Sequence, residues 1–298
     1  MSTRFTAAQL QNLCRAAIDA GQEAARCIES VDRHELKRCF KDAGSTAASQ
    51  LVTDVDMRSE DIIRQRLLTI SESLDIAFVG EESCLTASVD ARARFEKDYF
   101  WCVDPLDGTL PFVEGRPGYA VSIALVEQSG QPVIGVVVDP THQTVYHAIA
   151  GHGCYRDKLP LTQLKTEEAS NSLLVYSDAS FKTHADYELA VSALEQCARH
   201  LGLDGVVFNY GNGAVKNACK VLEARHACYV KLPKKEEGGG STWDFAATAC
   251  LAIESGGWAS NVHGQPLALN RRGSTFMNHD GVVFASNKEI AHFLINAL

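Results

Sequence analysis

Leu10, Leu13, Ala17, Ala20, Ala24 and Ile28 recur at helical spacing, and Thr6 with Gln9 forms a capping-box pattern just ahead of them. The first element is therefore an amphipathic helix. A second helical pattern follows Asp56, with Ile62, Ile63, Leu67 and Ile70 on one face and Arg58, Glu60 and Arg64 around it. Asp56 is its candidate N-cap. Short β-rich runs then take over at 76–79, 99–103, 119–126, 132–138 and 144–148, separated by Gly130, Pro132 and the turn-forming 139–142 stretch. Helices followed by such a meander predict an α+β half with a largely antiparallel sheet.

The polar stretch from Thr162 to Ser172, with Lys165, Glu167 and Glu168, interrupts the periodicity and marks a boundary between residues 1–165 and 166–298. Beyond it, strand patterns at 173–176, 206–209, 227–231 and 282–285 alternate with helical stretches near 183–200, 212–224, 243–255 and 287–297. That alternation predicts an α/β second half.

Composition narrows the function more than the fold. With 298 residues, 46% hydrophobic and 22% charged, the chain buries a real core. Its formal charge of −9, offset by no basic run, argues against nucleic-acid polymers and anionic membranes as partners. A phosphorylated ligand then requires a local reversal of the field, which a bound divalent cation supplies. Ten cysteines are scattered from Cys14 to Cys250 without a C-x-x-C pair and are expected to be reduced core thiols. Residues 1–12 lack the apolar core of a signal peptide and no stretch approaches 18 uninterrupted apolar residues, so a cytoplasmic protein is expected.

The most informative segment is Asp104-Pro105-Leu106-Asp107-Gly108-Thr109, which follows directly on an apolar strand. Asp-x-x-Asp lets two carboxylates and the Leu106 carbonyl converge on hard cations. Gly108 permits close backbone approach, and the following N–H groups are placed to face a phosphate. Glu81-Glu82 ends another apolar run, and Asp244 opens a helical pattern after Gly238-Gly239-Gly240. Alone, a Glu-Glu pair reads as a solvated turn and Asp244 as a helix cap. Their joint occurrence points to a metal site. His34, His142, His147, His152 and His279 lack the paired spacing of a zinc site.

The chain resembles the inositol monophosphatase superfamily of magnesium-dependent, lithium-sensitive phosphatases through 51–56, Gly80-Glu81-Glu82-Ser83, 104–109, 119–124, Trp243-Asp244 and Gly256-Gly257. The resemblance implies a layered αβαβα sandwich, commonly homodimeric, that hydrolyses a small phosphorylated metabolite. It implies Glu81, Asp104, Asp107, Asp244 and the Leu106 carbonyl as ligands for two to three Mg²⁺ ions. Asp56 and Thr109 match a water-orienting pair, and the Gly108 and Thr109 amides would hold phosphoryl oxygens. On substrate the residues divide. Lys216 falls where related 3′(2′),5′-bisphosphate nucleotidases carry a lysine, which favours cleavage of 3′-phosphoadenosine 5′-phosphate to AMP. Glu237, seven residues before Asp244, matches the hydroxyl-binding acid of the inositol enzymes and keeps inositol monophosphate, or another sugar phosphate, as the alternative. Lys231, Lys234 and Lys235 are further candidates for a 5′-phosphate. Leu110-Pro111 departs from the continuation usual in either group. Two rivals are weaker. Aspartyl-phosphate phosphatases require their nucleophile at position 105, which is proline here. A non-catalytic sensor of metal and nucleotide would not need the complete set of matched acids.

Overall fold

The computed structural model describes residues 4–30, 38–40, 51–85, 91–163 and 171–298, and for 38–40 and 51–53 the backbone alone. Helix α1 (Ala7–Ser30) starts at a complete capping box: the Thr6 amide donates to Gln9 Oε1 at 2.9 Å, and the Gln9 amide donates to Thr6 Oγ1 at 3.3 Å. The ribbon β1 (Arg38–Phe40) and β2 (Leu51–Thr53) is antiparallel and leads into α2 (Asp54–Leu74). Because α2 begins at Asp54, Asp56 lies inside the first turn and is buried, not at the N-cap position expected from the sequence.

Seven strands form the larger sheet. They are β3 (Ala77–Gly80), β4 (Tyr99–Asp107), β5 (Ala120–Glu127), β6 (Pro132–Asp139), β7 (Thr144–Ile149), β8 (Cys154–Arg156) and β9 (Leu159–Pro160), paired in chain order. Only the β3 and β4 pair is parallel. Two short helices interrupt this region, α3 (Glu81–Leu85) after β3 and α4 (Thr109–Val113) after β4.

The smaller sheet is built from β10 (Leu173–Ser177), β11 (Val206–Tyr210), β12 (Ala227–Lys231), β13 (Trp258–Ser260) and β14 (Val282–Ala285), in the order β11-β10-β12-β14-β13. β10 runs parallel to β11 and β12, as the α/β pattern predicts. Its helices are α5 (Tyr187–His200), α6 (Ala214–Glu223), α7 (Thr242–Glu254) and α8 (Lys288–Ala297). The polar stretch at 164–170, where the boundary between the halves is expected, lies outside the described residues.

Three apolar clusters define the layers. One joins α1 and α2 to one face of the larger sheet through Leu13, Ile28, Ile63, Trp101 and Ile123. A second joins the opposite face to α6, α7 and the smaller sheet through Phe100, Val215, Phe245 and Phe284. A third packs α5 and α8 on the outside of the smaller sheet through Leu194, Val175 and Leu294. The result is an αβαβα sandwich of mixed α+β class, held by side chains that each contribute about 1.5–3 kcal/mol on full burial. Of the nine cysteines whose side chains are described, seven are buried and none forms a disulfide. Burial pushes the thiols of Cys14, Cys102 and Cys154 up to about 12, so they are core residues and poor nucleophiles.

Candidate active site

In a regular strand, residues three apart point to opposite faces. Asp104 and Asp107 escape this because β4 carries a bulge: Asp104 stands opposite Ser122 and Asp107 opposite Ala120, so three steps on β4 match two on β5. Ser122 donates to the Trp243 carbonyl, which identifies this face as the one packed on α7. Pro105 at the bulge loses no ladder bond. Both carboxylates therefore turn toward Asp244, and ligand oxygens of Asp104, Asp107 and Asp244 all lie within 4.8 Å of one another.

Backbone amides hold each acid. Leu106 N donates to Asp104 Oδ1 at 3.1 Å, Ala214 N and Val215 N donate to the two oxygens of Asp107 at 3.0 and 2.9 Å, and Ser241 N donates to Asp244 Oδ2 at 2.6 Å. The last bond is half of a capping box on α7, so the cap expected of Asp244 and its place in the acid cluster are the same geometry. Gly108, at φ 87°, turns the chain from β4 into α4, and a side chain there would meet the Gly118 carbonyl at 2.7 Å.

Glu81 follows Gly80, which pairs in register with Val103 on the neighbouring parallel strand, so Glu81 emerges level with Asp104. Thr109 Oγ1 lies 3.4 Å from Asp56 Oδ1 and 3.3 Å from the Leu106 carbonyl. The structure thus brings Asp56, Glu81, Asp104, Leu106, Asp107, Gly108, Thr109 and Asp244 to one end of β3, β4 and α7. Glu237 is exposed in the loop before α7, its Oε1 3.5 Å from Ser274 Oγ. Lys216 takes another direction. Its ammonium is buried against Asp139 at 2.5 Å. Lys231 pairs with Asp178 at 2.6 Å.

The electrostatics favour a cation. Burial, then the charges of Glu81, Asp107 and Asp244, raise Asp104 well above the usual carboxylate range. Burial and Asp244 do the same to Asp107, against the amides of Val215 and Ala214. Asp244 is raised to about 6, first by burial and then by Glu81. Three carboxylates, a fourth beside them and a backbone carbonyl form an all-oxygen donor set, which suits hard divalent ions such as Mg²⁺.

Two supports were not singled out in the sequence. Glu60, one turn beyond Asp56 on α2, is buried and accepts the amides of Glu82 at 2.7 Å and Ser83 at 2.8 Å, which fixes the turn that presents Glu81. Its signal is the four-residue spacing from Asp56. Asp178 has no sequence signal. Burial raises it, but the Lys231 ammonium outweighs burial and holds it down to about 2.

Comparison with known proteins follows the same lines. The model of the inositol monophosphatase family matches residues 9–298. The chain is 28% identical over 269 residues to the 3′(2′),5′-bisphosphate nucleotidase CysQ of Salmonella typhimurium, covering 90% of this chain and 96% of that protein. It is 29% identical over 282 residues to inositol monophosphatase 2 of Solanum lycopersicum, covering 94% and 97%. The structure of extragenic suppressor protein suhB from Bartonella henselae matches with a TM-score of 0.71 at 20% identity, over 96% of this chain and 98% of that one, a likeness of fold.

Proposed function

The chain belongs to the inositol monophosphatase family, and from that membership and its converging acids we propose that it is a magnesium-dependent phosphatase cleaving a phosphomonoester from a small hydroxylated metabolite. The observation that carries this reading is the cluster of Asp104, Asp107 and Asp244 on one side of the β4 bulge. Asp104, Asp107, Asp244, Glu81 and the Leu106 carbonyl would hold two to three Mg²⁺ ions. When bound, the ions offset the acids' charge, polarise the phosphoryl group and ease deprotonation of water. The chain's own groups do the rest. The Thr109 hydroxyl has one proton, and donating it to Asp56 leaves its lone pairs to accept from a water. Glu81 takes the proton of that water as its oxygen bonds to phosphorus. The ester P–O bond then breaks, and the departing oxygen takes a proton from solvent. The Gly108 and Thr109 amides hold the phosphoryl oxygens. Homodimerisation and inhibition by lithium belong to the same reading.

CysQ supports a bisphosphate nucleotide as substrate and inositol monophosphatase 2 supports an inositol phosphate. The placement of side chains favours the second class, a polyol or sugar monoester, because the ammonium of Lys216 is buried and the Glu237 carboxylate is exposed ahead of α7. Phosphate release from inositol 1-phosphate and from 3′-phosphoadenosine 5′-phosphate, each with Mg²⁺, with chelator and with Asp107→Asn, tests both parts. Release from either substrate that persists in chelator sinks the metal-dependent reading. A strong preference for the nucleotide sinks the substrate assignment.

A further inference from the structure

Helix α6 enters the site by its first turn, where the Ala214 and Val215 amides hold Asp107 and Gly213 N donates to the Gly118 carbonyl at 2.7 Å. The next residue is Lys216, whose side chain leaves the site for β6. Its Nζ lies 2.5 Å from Oδ2 of Asp139, the last residue of β6, with the two side chains 5% and 4% exposed. Asp139 is itself fastened, its Oδ1 accepting the His142 amide at 3.1 Å and its Oδ2 lying 2.8 Å from the His142 ring Nδ1. The ammonium also stands 5.6 Å from the centre of the Tyr146 ring, whose hydroxyl donates to Glu223 Oε1 at 2.6 Å. Glu223 collects Arg156 from β8 at 2.7 Å and Lys220 at 3.0 Å. Residues 216, 220 and 223 share one face of α6, so ion pairs to Asp139 and Arg156 and the Tyr146 hydrogen bond clamp that face to β6, β8 and β7.

The register sets the distance from the reacting end. Asp107 pairs with Ala120 on β5, and β5 pairs onward with β6, so Asp139 stands on the second strand from β4. Two strand spacings are about 9.5 Å. An ammonium committed there serves its carboxylate. Burial alone would raise Asp139, yet Lys216 holds it below the usual range, the mark of a formed ion pair.

We propose that Lys216 is a positioning residue: its buried pair with Asp139 fixes the first turn of α6, and through the Ala214 and Val215 amides the pose of Asp107, and it does not bind a second phosphate of the substrate. This rests on the reading of Asp107 as a metal ligand and deepens it, since it removes the lysine that made a bisphosphate the natural substrate. Selectivity then comes from groups that meet hydroxyls or a single phosphate.

The test compares Lys216→Met, Lys216→Arg, Asp139→Asn and the double variant Lys216→Met with Asp139→Asn, which leaves no lone buried charge should a single variant fail to fold. Mg²⁺ binding is measured by calorimetry, alongside kcat and KM on inositol 1-phosphate and 3′-phosphoadenosine 5′-phosphate. Lys216→Met and Asp139→Asn are expected to weaken Mg²⁺ binding about tenfold or more, as loss of a group supporting a metal ligand does, and to lower kcat on both substrates in equal proportion. The double variant is expected to be no worse than the worse single one, because the two residues act as a unit. Lys216→Arg is expected to recover most of the loss. The proposal is overturned if folded Lys216→Met or the folded double variant binds Mg²⁺ like the wild type. It is equally overturned if KM rises about tenfold for the bisphosphate alone and Asp139→Asn does not copy that effect. A wild type that binds Mg²⁺ but releases phosphate from neither compound sinks the phosphatase reading, while the comparison of Mg²⁺ affinities still decides the role of Lys216.

Discussion

Removing divalent metal should make this protein's stability fall further, relative to its metal-bound form, as pH rises toward neutral. The cause is the three acids that share one end of the cleft, Asp104, Asp107 and Asp244, all raised. A carboxyl raised in the folded state contributes stability at pH below its unfolded value, and that contribution is lost as pH rises through the folded value. Asp244 moves from 3.8 to about 6, which at 1.36 kcal/mol per unit corresponds to about 3 kcal/mol once fully ionised. About half of that falls between pH 5 and 7.5. For 298 residues the unfolding entropy is about 0.6 kcal/mol/K, so Asp244 alone shifts Tm by about 2 °C, and Asp104 and Asp107 act in the same direction. His147 and His226, lowered by burial, work oppositely, but they do so with or without metal. The assay is thermal unfolding at pH 5, 6, 7 and 7.5, each in chelator and in saturating Mg²⁺. The gap in Tm between the two conditions should widen by about 2 °C or more from pH 5 to 7.5. A gap that stays constant or narrows refutes the claim that these acids form a cation site.

Other outcomes follow from single contacts. Asp107→Asn should abolish Mg²⁺-stimulated phosphate release while the protein stays folded, read by phosphate assay beside circular dichroism. Glu60→Gln removes a buried charge-assisted acceptor of the Glu82 and Ser83 amides and should cost about 1–2 kcal/mol in urea unfolding, with kcat falling as Glu81 loses its fixed turn. Gly213→Ala places a methyl group against the Asp107 carboxylate and should weaken Mg²⁺ binding by calorimetry, whereas Gly205→Ala, with open space around it, should leave Mg²⁺ binding as it is. Tyr146→Phe leaves Glu223 with Arg156 and Lys220 and should lower stability by about 1 kcal/mol without changing KM.

What was legible in the sequence is what local pattern encodes. The strand runs, the parallel pairing of β10 with β11 and β12 in an otherwise antiparallel second sheet, and the acids at 81, 104, 107 and 244 all sit where an apolar run ends or a helix begins. Asp56 is legible as an acid at a helix start, but the expected cap lies three residues beyond the actual cap position, because the helical period does not distinguish a cap from the first turn, and α2 starts at Asp54. The bulge was hidden. Asp-x-x-Asp implies convergence only if an extra residue resets the pleat, and that depends on pairing with β5. The family resemblance gives Lys216 a phosphate-binding role, whereas its position is decided by Asp139, which no short-range signal connects to it. Asp178 is silent for the same reason, and the spacing of Glu60 from Asp56 does not say what it holds: a buried carboxylate is explained by the amide or ammonium that the tertiary fold brings to it.

The amides explain how such a cluster stands in a chain of net charge −9. Each of Asp104, Asp107 and Asp244 accepts at least one backbone N–H, and these dipoles are fixed by elements that the apolar core holds in place: the β4 bulge, the first turn of α6 and the cap of α7. A carboxylate has two oxygens and about four acceptor positions, so even Asp107, with both oxygens engaged by amides, keeps lone pairs free for a cation. The site is therefore arranged by packing and left under electrostatic strain that burial and mutual repulsion create. A divalent ion bound there would relieve that strain by changing charge and protonation, without rebuilding the backbone. For that reason metal should raise stability at neutral pH while leaving secondary structure unchanged, and the residues that matter most beyond the ligands are those that orient the amides, Glu60 behind Glu81 and Lys216 behind Asp107.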